Sequence, residues 1–119
     1  MCVVLTVDDD PTLRALMMVM LKKLNCQPIA AESGIEAERM LASFHPKLVL
    51  LDIMMPMQDG YETCRHIRLR GYWGRVLFVS ANPIEPEKVK ACGADGFIQK
   101  SITLLALAQQ VNTLYLQSA

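Results

Sequence analysis

The chain lacks most of the signals that betray a function by composition. It has no net charge, because 12 lysines and arginines are matched by 12 aspartates and glutamates in 119 residues. No overall field therefore draws it to nucleic acid or to anionic lipid, and direct DNA binding is not expected. It also lacks an apolar run fit to span a membrane: the longest uncharged stretch, 101–119, is broken by Gln109, Gln110, Asn112 and Thr113. No basic segment leads into an apolar run and a cleavage site, so export is not indicated and a cytoplasmic location is expected. Cys2, Cys26, Cys64 and Cys92 are widely scattered with no CxxC pair. That removes the grounds for a disulfide framework or a zinc site and leaves buried, reduced thiols as the expectation. His45 and His66 each stand far from any ligand-like neighbour and read as surface or otherwise satisfied residues. Internal repeats, linkers and low-complexity segments are missing too. What remains is an ordinary globular composition, 52% hydrophobic and 20% charged, with room for one domain and a real core.

Three apolar runs each end in ionisable groups. Residues 3–7 run into Asp8, Asp9 and Asp10; residues 48–51 run into Asp52; residues 97–99 run into Lys100. If the runs are parallel strands, their polar tips share one edge of a sheet, where acids and an ammonium converge. The intervening segments have helical period, and alternation of this kind argues for βαβ units.

The first strand, 3–7, is followed by Asp10 as a helix cap and Pro11 at the first helical position, where its missing N–H costs nothing. Leu13, Leu16, Met17, Met20, Leu21 and Leu24 supply that helix with an apolar stripe, and Asn25 stops it. The methionines at 17, 18 and 20 are core filler. Residues 27–31 form a weaker strand whose Pro28 cannot donate to a ladder, which places it at a sheet margin. Ser33 and Glu36 have capping-box spacing and open a second helix ending near Ser43. Residues 48–52 are continuously apolar up to the acid, as a strand covered on both faces should be. Pro56, Asp59 and Gly60 mark a loop before a third helix over 61–69, stopped by Gly71. Residues 76–80 form another buried strand, Asn82 and Pro83 a turn, and 85–92 a short helix closed by Gly93. A last strand, 96–99, precedes a final helix over 103–117. Five strands and five helices in strict alternation predict an α/β fold, a doubly wound parallel sheet of order 2-1-3-4-5. In that order the first and third strands are neighbours at the switch point where ligands collect. Asp8, Asp9 and Asp52 lie at those two tips.

Crowded carboxylates repel, and a hard cation with oxygen ligands relieves the repulsion. A carboxylate is also a nucleophile able to form an acyl phosphate, and phosphoryl transfer asks mainly for positioning and for cationic charge on the phosphoryl oxygens. A metal and Lys100 would supply that charge, and the Ser80 hydroxyl a hydrogen bond. Taken singly, each residue has a plainer structural explanation as a cap or an ion-pair partner. Taken together at matching strand ends, they describe a site.

VDDDP at 7–11, LLDIMMPMQDG at 50–60, VSAN at 79–82 and ACGADGFIQK at 91–100, in this order and spacing, resemble a response-regulator receiver domain over essentially the whole chain. The resemblance implies a flavodoxin-like fold in which 1–119 is a single receiver domain, with no output domain in this chain. It implies that Asp52 is the phosphoacceptor, that Asp9 binds magnesium directly and Asp8 mainly through water, and that the Met54 backbone carbonyl is a further ligand. Manganese is the alternative ion. Lys100 would contact the phosphoryl group. Ser80 would be the switch hydroxyl, and Phe97 the aromatic ring that turns inward when that hydroxyl moves. The phosphoryl donor would be a phosphohistidine on a sensor histidine kinase or a histidine phosphotransfer domain. A downstream effector would read the face formed by the fourth helix, fifth strand and fifth helix.

The chain departs from the family pattern after Lys100, where Ser101 replaces the usual proline. A cis bond there would cost about 2.5–4 kcal/mol, so either a trans Lys100–Ser101 bond or a strained cis one is expected. Met54 and Asn82, two residues after Asp52 and Ser80, stand where side chains guide the hydrolytic water, and an apolar Met54 implies slow-to-moderate self-dephosphorylation. The final helix carries no charge. Leu104, Leu107, Ala108, Val111 and Leu114 make its buried stripe, which leaves Leu105 and Leu116 nearer the outside as a candidate docking or homodimer surface. Two other functions compete with the switch. A small aspartate-nucleophile phosphatase would need an acid where Met54 stands. An interaction module that keeps the fold without phosphorylation finds its support in Ser101 alone.

Overall fold

Successive residues of a strand point to opposite sides of the sheet, and the core of this protein divides accordingly. The computed structural model describes residues 2–99 and 104–113, and the side chains of all of these except Leu104 and Leu105. The expectations for Lys100, for the Lys100–Ser101 bond and for the side chains of Leu104, Leu105, Leu114 and Leu116 lie outside what is described. β1 (Cys2–Val7) sends Leu5 and Val7 to one face and Val4 to the other. β3 (Leu48–Leu51) sends Val49 and Leu51 one way and Leu48 and Leu50 the other, and β4 (Arg75–Ser80) divides Val76 and Phe78 from Leu77 and Val79. Both faces are covered, which is why these runs are apolar apart from Thr6, Arg75 and Ser80.

β2 (Cys26–Ala31) and β5 (Gly96–Gln99) complete a parallel sheet of order β2-β1-β3-β4-β5. The predicted order is the observed one, and Pro28 sits on the edge strand, opposite Val4. α1 (Pro11–Lys23) and α5 (Leu104–Val111) bring Met17, Leu21, Leu107 and Val111 onto one face. α2 (Gly34–Leu41), α3 (Gly60–Leu69) and α4 (Pro86–Ala91) bring Ala37, Cys64, Ile67 and Val89 onto the other.

The caps are local chemistry and fall where expected. Asp10 accepts from the Thr12 and Leu13 N–H groups at 2.9 and 3.4 Å, and Ser33 accepts from Glu36 N–H at 3.1 Å. Asn25 takes the left-handed conformation after α1, with φ 62°. Two details differ. α3 begins at Gly60 because Asp59 is its cap, accepting from Glu62 N–H at 2.8 Å. Leu16 is 39% exposed rather than part of the α1 stripe: it follows Ala15 round the helix, about 100° away from the ridge on which Met17 and Leu21 meet the sheet.

α2 is fastened to α3 by a polar cluster. Glu38 receives the Gln58 side-chain amide at 2.9 Å and Arg70 Nε at 2.9 Å, and His66 Nδ1 lies 3.2 Å from its Oε2. His66, isolated in the sequence, thus acquires an acidic partner. Among the described residues no helix is long and apolar enough to cross a membrane.

Candidate functional site

Val7 and Leu51 are register partners on neighbouring strands, so the next residues, Asp8 and Asp52, leave the sheet at the same level. The backbone holds them there. Asp52 N–H donates to Val7 O at 3.0 Å, and Asp8 N–H donates to Ala31 O at 3.1 Å. Carboxylate oxygens of Asp8, Asp9 and Asp52 all lie within 4.8 Å of one another. Asp8 is buried, Asp52 half-buried and Asp9 exposed. Asp8 Oδ1 accepts the Asp10 N–H at 2.9 Å, and its carbonyl accepts Arg14 Nη1 at 2.8 Å. Asp52 Oδ1 accepts the Ile53 N–H at 2.9 Å, which restrains rotation of the carboxylate. Asp10 turns away to cap α1.

The other candidate residues surround this edge. Met54 follows Asp52 by two positions, and its side chain is 60% exposed. Ser80 ends β4, next to β3, fully buried, and its Oγ accepts the Asn82 N–H at 3.1 Å. Phe97, on β5, is 44% exposed while the adjacent Ile98 is buried in the core. Gln99 pairs with Ser80, and its amide donates to Asn82 O at 3.0 Å. Lys100 follows Gln99 directly and lies outside the described residues.

Gly60 was legible only as a turn signal, yet it is part of this edge. Its N–H donates to Ile53 O at 2.7 Å, and a Cβ there would run into the carbonyl oxygen of Asp52 and the Cα of Ile53. The absent side chain lets the start of α3 press against the segment leaving β3. Met57 holds φ 73° in the same loop, a left-handed conformation that nothing in its residue type announces. A cavity of about 510 Å³ lined by Phe44, Ile67, Tyr72 and Trp73 lies at the opposite end of the sheet, away from the acids.

Three carboxylates of graded burial, on backbone pinned by strand hydrogen bonds, make a donor set that suits a hard divalent cation. An acid cluster at the carboxyl ends of β1 and β3, in a doubly wound sheet of this order, defines the class of protein. The sequence pattern of the response regulator receiver domain matches residues 4–112, and the chain belongs to that family. Among its relatives, protein PilG of Pseudomonas aeruginosa is 42% identical over 101 residues, covering 82% of this chain and 75% of that protein. The sensor histidine kinase RcsC of Escherichia coli is 36% identical over 94% of this chain, which spans 12% of RcsC. The response regulator MprA of Mycobacterium ulcerans is 34% identical over 93% of this chain, which spans 49% of MprA. In structure, the response regulator TrrA of Thermotoga maritima, solved in complex with Mg2+-BeF, superposes with a TM-score of 0.85 at 30% identity, covering 96% of this chain and 99% of that one. The chemotaxis protein CheY4 of Vibrio cholerae superposes with a TM-score of 0.88 at 22% identity over 96% of this chain and 98% of that one, a likeness of fold.

Proposed function

We propose that this chain, as one receiver unit, is a phosphorylation-controlled switch in which Asp52 takes a phosphoryl group from a phosphohistidine of a sensor kinase or phosphotransfer domain. The observation that carries this reading is the convergence of the Asp8, Asp9 and Asp52 carboxylates within 4.8 Å at the ends of adjacent strands. In the transfer, an Asp52 carboxylate oxygen forms the new bond to phosphorus as the phosphorus–nitrogen bond of the donor breaks. The departing imidazole takes up a proton. The Ile53 N–H on Oδ1 orients the nucleophile. Asp8, Asp9, Asp52 and the Met54 carbonyl are the groups that would hold Mg2+. When bound, that ion supplies positive charge against the phosphoryl oxygens and against the mutual repulsion of the acids. Lys100, next after Gln99, is the second cation assigned to the phosphoryl group.

For the response, the Ser80 hydroxyl, which accepts the Asn82 N–H in this structure, moves to donate its proton to a phosphoryl oxygen, and the half-exposed Phe97 ring turns into the space vacated. The surface of α4, β5 and α5 then differs between the two states, and an effector distinguishes them. No free substrate is turned over; the chain promotes its own phosphorylation and dephosphorylation.

The test is incubation with acetyl phosphate and Mg2+, read by intact mass. A single phosphoryl adduct that needs the metal and is lost in Asp52→Asn is the expected result. Steady release of phosphate from small phosphate esters, without an adduct, would establish a phosphatase instead. Absence of an adduct from both a small donor and a phosphorylated kinase would reduce the chain to a phosphorylation-independent interaction module.

A further inference from the structure

The end of the sheet opposite the acids is built from two loops, one between α2 and β3 and the other between α3 and β4. They are tied to each other: Arg75 N–H donates to Lys47 O at 3.1 Å, and Tyr72 Oη donates to Pro46 O at 3.0 Å. Arg68 Nη1 fastens the second loop from within, donating to Tyr72 O at 2.8 Å and to Gly74 O at 2.6 Å. Between the loops lies the cavity of about 510 Å³, with Leu41, Phe44, Ile67, Tyr72 and Trp73 as its apolar walls. Its size is that of a ligand site. On this pinned backbone Trp73 is 91% exposed and Phe44 42%. The indole is displayed rather than packed. Tyrosine, tryptophan and arginine carry most of the binding energy at interfaces, and Arg70, Tyr72 and Trp73 stand almost in succession here.

The rim is cationic. Arg70 lines the cavity with its side chain 68% exposed. A second hollow of about 370 Å³ opens beside the first, shares Glu38 and Arg70 with it, and adds Arg39. Lys47 and Arg75 follow the lining residues Pro46 and Gly74 in the chain, and both are exposed. The acids nearby are already engaged, Glu38 by Gln58, His66 and Arg70, and Asp95 by Arg68. Arg39 is exposed and has no acidic partner among the described residues. The carboxyl ends of α2 and α3 point to this edge, but each carries only about half an elementary charge, less than the whole charges on the rim.

We infer that this end of the molecule docks an acidic segment of a partner protein, which places a bulky apolar side chain in the cavity and its carboxylates against Arg39 and Arg70. A purely apolar occupant would leave the rim cations unused. A single-stranded nucleic acid is served by successive exposed rings along a row of cations. Here Trp73 alone is almost wholly exposed, and it stands at the edge of a hollow walled by Leu41 and Ile67. Walls held by hydrogen bonds before the partner arrives spare it the cost of ordering them. The hollow lies across the sheet from Asp52, in a molecule about 30 Å wide, so a docked segment leaves the acids open.

Trp73 is the only tryptophan of the chain, so its fluorescence reads the cavity directly. The probe is a short synthetic peptide in which glutamates flank a leucine–phenylalanine pair, titrated into the full chain. The expected result is a saturable blue shift of the Trp73 emission as the indole leaves water, half-complete below about 1 mM peptide and weakened by added salt. The same peptide with lysines for the glutamates, or with alanines for the apolar pair, should bind several-fold more weakly. Arg39→Glu reverses an exposed charge and keeps the reporter, and should raise the half-saturation concentration several-fold. Absence of a saturable shift with the glutamate peptide overturns the proposal, as does an equal response to the lysine peptide or an unchanged half-saturation in Arg39→Glu. A shift with oligothymidylate and none with the glutamate peptide would make this a nucleic-acid surface instead. The peptide comparison is made on the wild-type chain and decides the matter without any variant.

Discussion

The Met54 side chain projects into solvent two residues beyond Asp52 and offers a water molecule no hydrogen bond. On the switch reading, a water attacking the acyl phosphate then gains no orientation from this position, and the phosphorylated state persists. Met54→Asn should shorten its lifetime several-fold, measured as decay of the phosphoryl adduct after the donor is removed; an unchanged decay would remove Met54 from the mechanism. A second residue controls stability rather than lifetime. Burial, the largest influence on Glu38, raises its pKa, but the hydrogen bonds from Gln58 and His66 and the charges of His66 and Arg70 together bring it below the ordinary 4.5. A carboxyl group depressed in the folded state stabilises it above the unfolded pKa, and the contribution disappears as pH falls through the folded value. Glu38→Gln should therefore cost about 1.5–3 kcal/mol near neutrality, the range for hydrogen bonds to a charged group. The gap between variant and wild type should close below pH 4.5. Urea midpoints at neutral and acid pH check both halves.

At the scale of elements, what could be read from the sequence was what is decided locally. Strand runs, the Asp10 and Ser33 caps and the Asn25 and Gly93 stops depend on residues within a turn of one another, and all appear in the fold. Contacts between elements carry no such periodic mark. Neither the Glu38–His66 pair nor the hydrogen bond from the Cys64 thiol to the Cys92 carbonyl can be inferred from spacing, because each depends on how two helices lie against one sheet. Gly60 belongs to the same group. It was visible as a turn residue, but its closeness to the Asp52 carbonyl depends on α3 folding back over β3. Gly60→Ala should cost about 1–3 kcal/mol through forced displacement of backbone. By shifting Asp52 it should also slow adduct formation from acetyl phosphate. Chemical denaturation reads the first effect and the mass time course the second. Wild-type stability and rate together would show that the loop absorbs a methyl group without moving the acid.

For the molecule as a whole, the neutral charge balance conceals a strongly uneven edge. The order of the sheet was legible because Pro28 assigns one strand to the margin and the alternation leaves few ways to close. Once that order is given, Asp8 and Asp52 must leave neighbouring strands side by side. Three carboxylates gathered within 4.8 Å oppose folding, since the unfolded chain separates them, and a cation that binds them only when gathered favours the folded state. The two effects make opposite predictions for one substitution. Asp9 is exposed, so replacing it removes charge without opening the core. In the absence of divalent ions, Asp9→Asn should melt at a higher temperature than wild type, because one repulsion is gone. Saturating Mg2+ should raise the wild-type midpoint: a ligand at a hundred times its Kd adds about 2.7 kcal/mol to the cooperative unit. Asp9→Asn should show little of that rise. The core on one face of the sheet takes in residues of every strand, so an ion held at one edge is felt in the melting of the entire sheet. Thermal unfolding of both proteins, with EDTA and across a Mg2+ titration, tests the pair of predictions. A variant that melts lower than wild type in EDTA would mean that Asp9 is held by attraction rather than strained by repulsion. An undiminished rise with Mg2+ would place the ion on other ligands.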